Sequence, residues 1–178
     1  MKITKQLSLL FLVMITAFSC DELDEFTELD ITDNFSAAVT ISANDESEAS
    51  FMQSFTIDLA SNQDIQDNID LLQDISINTL TYEISNFIPG EGAEDANITE
   101  ASLTLGSTTI SVENINLKAS DDGDIKYDIE DTSLLNAITN ALENDTAVTL
   151  LLTGTVDSTP VTFDVVINLD ATVTIDVL

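Results

Sequence analysis

The chain has 178 residues, with 33 acidic side chains against four lysines, no histidine and no arginine. Nucleic-acid affinity comes largely from Lys and Arg releasing counterions, so this charge excludes a nucleic-acid partner. The missing residue types also remove Ser-His-Asp triads, Cys-His pairs, His-ligated zinc and Arg clamps on phosphate or carboxylate.

Residues 1–19 place Lys2 and Lys5 ahead of a 12-residue apolar run from Leu7 to Phe18. That is the layout of a signal peptide, and it is too short to span a bilayer. A mature chain beginning at Cys20 keeps 159 residues and loses two of the four lysines, which takes the side-chain charge from −29 to −31. Such a length suits one domain with a real core, and 44% hydrophobic residues argue against wholesale disorder. Ala17-Phe18-Ser19-Cys20 resembles a bacterial lipoprotein signal, in which the cysteine becomes the lipidated first residue. Ala17 stands where Leu is usual, and Phe18 is bulky for its place. Ordinary signal peptidase cleavage after Ser19 is the alternative, and it leaves a secreted or periplasmic protein with one free thiol. A sole cysteine without an intrachain partner favours lipidation.

The following Asp21-Glu22-Leu23-Asp24-Glu25 resembles the acidic export tag of surface lipoproteins of the Bacteroidetes type. The resemblance implies an outer-membrane location at the cell surface, with a membrane partner through the lipid. An Asp directly after the cysteine also resembles an inner-membrane retention signal. The resemblance ends after about the first 25 residues. Residues 20–34 read as an acidic tether with a short strand at Leu29 to Ile31, and residues 35–178 as a single domain.

Period-two alternation opens that domain at Phe35, Ala37, Val39 and Ile41, and a second strand carries Phe51, Phe55, Ile57 and Leu59. Ser61 with Asp64 reads as a capping-box start for a short helix bearing Ile65, Ile69 and Leu72. The strand over 75–87 changes face near Asn78, as a bulge causes. Leu103 and Leu105 run through Gly106-Ser107 into Ile110 and Val112, a hairpin with Gly in its turn.

After an expected loop from Ser120 to Asp124, Ile125, Tyr127 and Ile129 alternate. Asp131 and Thr132 then begin a second helix through Leu134, Ile138 and Leu142. Val148, Leu150, Leu152 and Val156 form a strand. Every odd residue from Val161 to Val177 is apolar, a segment so long that a bend or sheet switch is expected near Asn168 to Ala171. The fold class is therefore mainly β, an antiparallel β-sandwich with two short crossover helices. Strand, helix and strand recur over Asp58 to Ile77 and Asp128 to Val148. With the echo of Ile115-Asn116-Leu117-Lys118-Ala119 in Ile167-Asn168-Leu169-Asp170-Ala171, this raises an internal duplication.

Carboxylates are the one catalytic device present in quantity, and they are too widespread to single out a pair. With no Trp, and with Tyr82 and Tyr127 on strand patterns, a carboxylate-dependent polysaccharide hydrolase is the alternative rather than the first reading. Lys118 with Ser120 is a second, weaker catalytic arrangement. No cofactor is expected unless acidic loops hold calcium, for which Asp121, Asp122 and Asp124 around Gly123 come first and Glu91, Glu94 and Asp95 second. Calcium there would make a calcium-stabilised adhesion module. Asp145-Thr146-Ala147 and Asp157-Ser158-Thr159 resemble the O-glycosylation motif of Bacteroidetes exported proteins, with Thr146 and Ser158 as acceptors. The expectation is a non-enzymatic, lipid-anchored envelope protein with a binding or structural role, its partners being glycans or other envelope proteins.

Overall fold

The computed structural model describes residues 28–45 and 49–176. The signal peptide, Cys20 and the first part of the tether lie outside them. Eight strands follow in order: β1 Glu28–Ala43, β2 Ser50–Asp58, β3 Leu72–Pro89, β4 Asn97–Leu105, β5 Thr108–Asn116, β6 Lys126–Asp128, β7 Ala147–Val156 and β8 Val161–Asp176. The helices are α1 Gln63–Asp67, α2 Leu117–Asp122 and α3 Thr132–Asp145. The strands form two antiparallel sheets, β1-β8-β3-β6 and β2-β7-β4-β5, packed as a sandwich.

One turn explains this order. Gly106 adopts φ 59°, which suits the two-residue turn between Leu105 and Thr108, so β4 pairs with β5. The chain on either side continues as two arms of a long hairpin: β3 pairs with β6, β2 with β7 and β1 with β8. Folding that hairpin over adds β3 to β8 and β4 to β7, and the result is a jelly roll. At each corner the two arms turn together and share a backbone hydrogen bond. Val156 N donates to Ala49 O at 2.9 Å, Leu59 N to Thr146 O at 3.0 Å, and Leu117 N to Ala96 O at 3.0 Å. The recurrence of strand, helix and strand therefore follows from two arms rounding one corner in opposite directions. The five-residue echo falls on different structures: residues 115–119 end β5 and enter α2, whereas 167–171 lie inside β8.

β8 is the spine of the first sheet. Its odd residues from Val161 to Ile175 are all buried and its even ones half-exposed. Contrary to the expected bend or sheet switch, it stays in one sheet for 16 residues, because β1 and β3 are long enough to pair along its whole length. The irregularities lie in β3 instead, at three register shifts, one of them between Ile77 and Thr79 where a change of face at Asn78 was predicted. Across the sandwich Phe163 meets Phe51 edge to face, with centroids 6.0 Å apart.

Three local readings are corrected. The tether is shorter than residues 20–34, since β1 begins at Glu28 and pairs Leu29 with Ile175 and Ile31 with Val173. The short strand expected at Leu29 to Ile31 is the start of this longer one, for which the buried end of β8 supplies the partner. The first crossover is capped by Asn62 rather than Ser61; its Oδ1 accepts from Asp64 N at 2.9 Å and Ile65 N at 3.2 Å. That helix has only five residues, flanked by 3-10 turns at Leu59–Ser61 and Ile69–Leu71. The expected loop at Ser120 to Asp124 is mostly helix: Asn116 caps α2 through Ala119 N at 2.8 Å, and Leu117 and Ser120 are buried. Six residues are too few to show a period. α3 forms as expected, with Asp131 Oδ1 accepting from Leu134 N at 2.8 Å.

Candidate functional site

The jelly roll has two ends. Glu28 pairs with Asp176 at one, beside both helical crossovers and the Gly106 turn. The far end carries the connections after β1, β3, β5 and β7, and with them most of the acids expected to act together. They do not converge. Asp121 Oδ2 accepts from the backbone N–H of Phe87 at 3.1 Å, where it caps the free edge of β3. Asp122 pairs with Lys118 one helical turn away. Asp124 takes a left-handed φ of 46° at the end of α2. Glu91, Glu94 and Asp95 are exposed, and Glu94 reaches only the Gly92 N–H at 3.4 Å. Among the described residues no group of three acidic side chains is placed to hold a metal ion, and Asp121 and Asp122, where calcium was expected together with Asp124, turn to separate partners.

Lys118 and Ser120 are also separate. The Lys118 ammonium is held above its usual range by the hydrogen bond it donates to Asp122 and by that carboxylate's charge. Ser120, 1% exposed, donates to Asn116 O at 2.8 Å, which leaves its oxygen to accept from the Tyr127 hydroxyl at 2.6 Å. Tyr127 stacks on its cross-strand partner Tyr82, with centroids 4.9 Å apart and planes inclined by 12°. Burial, followed by the neighbouring Tyr127, pushes the Tyr82 hydroxyl up to about 12. These tyrosines fasten β6 to β3, with one face of each ring against the other.

The two expected glycosylation acceptors lie at opposite ends. Thr146 ends α3 at φ 58°, half-buried, with its hydroxyl donating to Asp145 O at 2.7 Å. Ser158 is half-buried in the turn between β7 and β8, and its hydroxyl bonds Asp157. Asp157 also accepts from Asn97 twice, at the backbone N–H (2.8 Å) and the side-chain amide (2.9 Å). Burial raises the Asp157 carboxyl, yet these donors outweigh it and hold the group below its usual value. No sequence signal marks this pair, because 60 residues separate its members.

The concave feature missed from sequence lies on the side of the sandwich where β5 and β6 are the outer strands. β6 has three residues and β5 nine, so the sheets are not closed over one another there. An apolar slot of about 40 Å³ enters between them, bounded by Ile84, Ile98, Leu103 and Val165 among others. Its walls Tyr82, Ile110, Val112 and Ile129 also line an open trough of about 450 Å³, whose rim carries Asp128, Glu130 and Asp131. The trough combines an apolar floor with an acidic rim beside a strand paired on one side only.

No protein-family model matches the sequence, and no curated protein matches it. Among solved structures the chain is similar to the decameric BFDV capsid protein, at 12% identity and a TM-score of 0.42, over 82% of this chain and 99% of that one. It is similar also to a Desmodium yellow mottle tymovirus protein, at 12% identity and a TM-score of 0.40, over 84% of this chain and 81% of that one.

Proposed function

We propose that this chain is a non-enzymatic lipoprotein of the bacterial cell envelope, anchored through Cys20 and displaying its jelly roll at the outer surface for binding or as a structural component. The observation that carries the reading is the series Lys2, Lys5, the apolar run to Phe18, and Ser19-Cys20 followed by acids. The fold is compatible with it: only residues 21–27 intervene between Cys20 and β1, a reach of about 25 Å when extended. On this reading the helical end of the sandwich faces the membrane and the far corners face outward. Among the described residues no helix is long and apolar enough to cross a membrane. The catalytic side is supported by no observed pairing of nucleophile and base. Metabolic labelling with a palmitate analogue tests the anchor: the parent protein is expected to carry label and Cys20→Ala to lose it. Equal labelling of the two would overturn the proposal.

A further inference from the structure

Four strand edges border the two sheets, and they are guarded unequally. β1 carries Glu28, Asp30 and Asp33 in its first six residues. β2, at the neighbouring edge, packs against β1. Beyond the three residues of β6, the open edge of β3 is covered by α2 and α3, and Asp121 occupies its Phe87 N–H. β2 and β5 each have nine residues, pair on one side only and carry a single acid in sequence, Asp58 and Glu113; β5 differs in lining the apolar slot and the trough, with α3 and α2 touching it. An unguarded edge rich in Thr, Ile and Val is a template for another strand.

We infer that β5 binds an extended basic peptide segment from another protein by strand addition, with alternate apolar side chains entering the trough beside Ile110, Val112 and Tyr82. Three observations converge on this. The free edge presents main-chain groups for pairing. The half-buried Ile110 and Val112 leave apolar surface that an added strand would cover, and the slot behind them deepens it. The rim acids Asp128, Glu130 and Asp131 supply the complement for Lys or Arg flanking those apolar residues. A second copy fits less well, because pairing β5 with β5 brings the same acidic rims towards each other, and like charges across an interface are costly. The inference stands apart from the anchor, since no residue before Glu28 enters it.

The probe is a nine-residue peptide alternating Lys and Val, matched to the length of β5. Titration into the purified protein, followed by calorimetry and by amide chemical shifts, is expected to move the signals of residues 108–116 and to leave those of β1 and β2 in place. N-methylation of alternate peptide nitrogens is expected to weaken binding at least about tenfold, because it removes the ladder hydrogen bonds and keeps the charge. The exposed double variant Asp128→Asn/Glu130→Gln is expected to weaken it several-fold, and Asp30→Asn/Asp176→Asn on the other sheet to leave it unchanged. Binding insensitive to N-methylation would show diffuse charge attraction and overturn the inference. So would shifts centred on another edge, a failure to bind, or concentration-dependent self-association abolished by Val112→Lys.

Discussion

The β8 sheet has strands of 16, 18 and 16 residues beside the three-residue β6 and turns carboxylates outward, whereas the β7 sheet has strands of nine or ten and turns hydroxyls outward. With so few cations available, neutral donors serve the carboxylates of the first sheet. Asp164 accepts from Thr40 at 2.6 Å and Asn86 at 2.7 Å, Asp170 from Asn78 at 2.6 Å, and Asp30 from Thr174 at 2.7 Å. The second sheet is laced by hydroxyl pairs: Thr56 with Thr149 at 3.0 Å, Ser102 with Thr153 at 2.7 Å, and Thr104 with Thr109 at 2.9 Å. Both sheets have a central strand paired on both sides, so the difference teaches that charge follows the longer strands and not the pairing. The strands of the second sheet carry three acids, Asp58, Glu100 and Glu113, against nine in the first, and its β5 edge is where the approach of another chain is inferred.

The interior separates the sheets most strongly. Phe163 in β8 is fully buried, and Phe163→Ala is expected to cost about 3–5 kcal/mol in urea unfolding. Ala101 in β4 borders the 40 Å³ slot, so Ala101→Val is expected to be neutral or to stabilise by up to about 1 kcal/mol. Comparable losses would mean that both sheets are packed equally tightly.

Gly154 in β7 probes the second sheet from within. A Cβ there would lie 2.4 Å from the Phe51 ring and 2.8 Å from the Glu100 carbonyl oxygen, so Gly154→Ala is expected to destabilise by about 1–3 kcal/mol. A change within about 0.5 kcal/mol would show that β2 and β4 yield more readily than their pairing implies.

On the outer faces, Asn78→Ala removes hydrogen bonds to Asp170 and Thr172 and is expected to cost about 1 kcal/mol. Thr56→Val keeps the β-branch, removes only the bond to Thr149, and is expected to stay within about 0.5 kcal/mol. Equal effects would erase the distinction between charged and neutral lacing.

Acid supplies the smallest test, with one group beside each sheet. Asp33 of β1 is held below its usual 3.8 by the Asn62 amide and the Asn34 N–H, against a small opposing effect of burial, and Asp157 after β7 is held below it chiefly by Asn97. A depressed carboxyl stabilises the fold above its unfolded value, and that stability is lost as pH falls through the folded one. Both groups are largely solvated, so Asp33→Asn and Asp157→Asn are each expected to cost under about 1 kcal/mol at neutral pH and to converge on the parent below about pH 3. Differences that persist at low pH would assign the effect to shape rather than charge. In the same melting series sodium chloride is expected to stabilise by screening self-repulsion, and calcium at equal ionic strength to do no more.

The alternation that defines β2, β5, β7 and β8, the bulge at Asn78, the Gly106 turn and the Asp131 cap were all legible, because each rests on residues within a few positions of one another. What escaped depends on partners distant in sequence. The short strand at Leu29 to Ile31 was legible, but the acids around it read as tether until the pairing with residues 172–176 shows β1 running through them. α2 is too short to show a period, and its acids read as a metal loop because sequence does not reveal that Phe87 and Lys118 occupy two of them. The trough was invisible for the same reason: it exists because β6 stops after three residues, and only the sheet order places that gap against β5.

The register that sets Glu28 opposite Asp176 also gives the molecule a mechanical direction. Pulled between those two residues, β1 peels from β8 one pair at a time. A load entering at Glu28 and leaving through the far corners runs along the strand axis instead, and it must shear the 16-residue register as a unit before β1 slips. Forced unfolding is governed by the unfolding barrier rather than by equilibrium stability, so the same fold is weak along one line of traction and strong along the other.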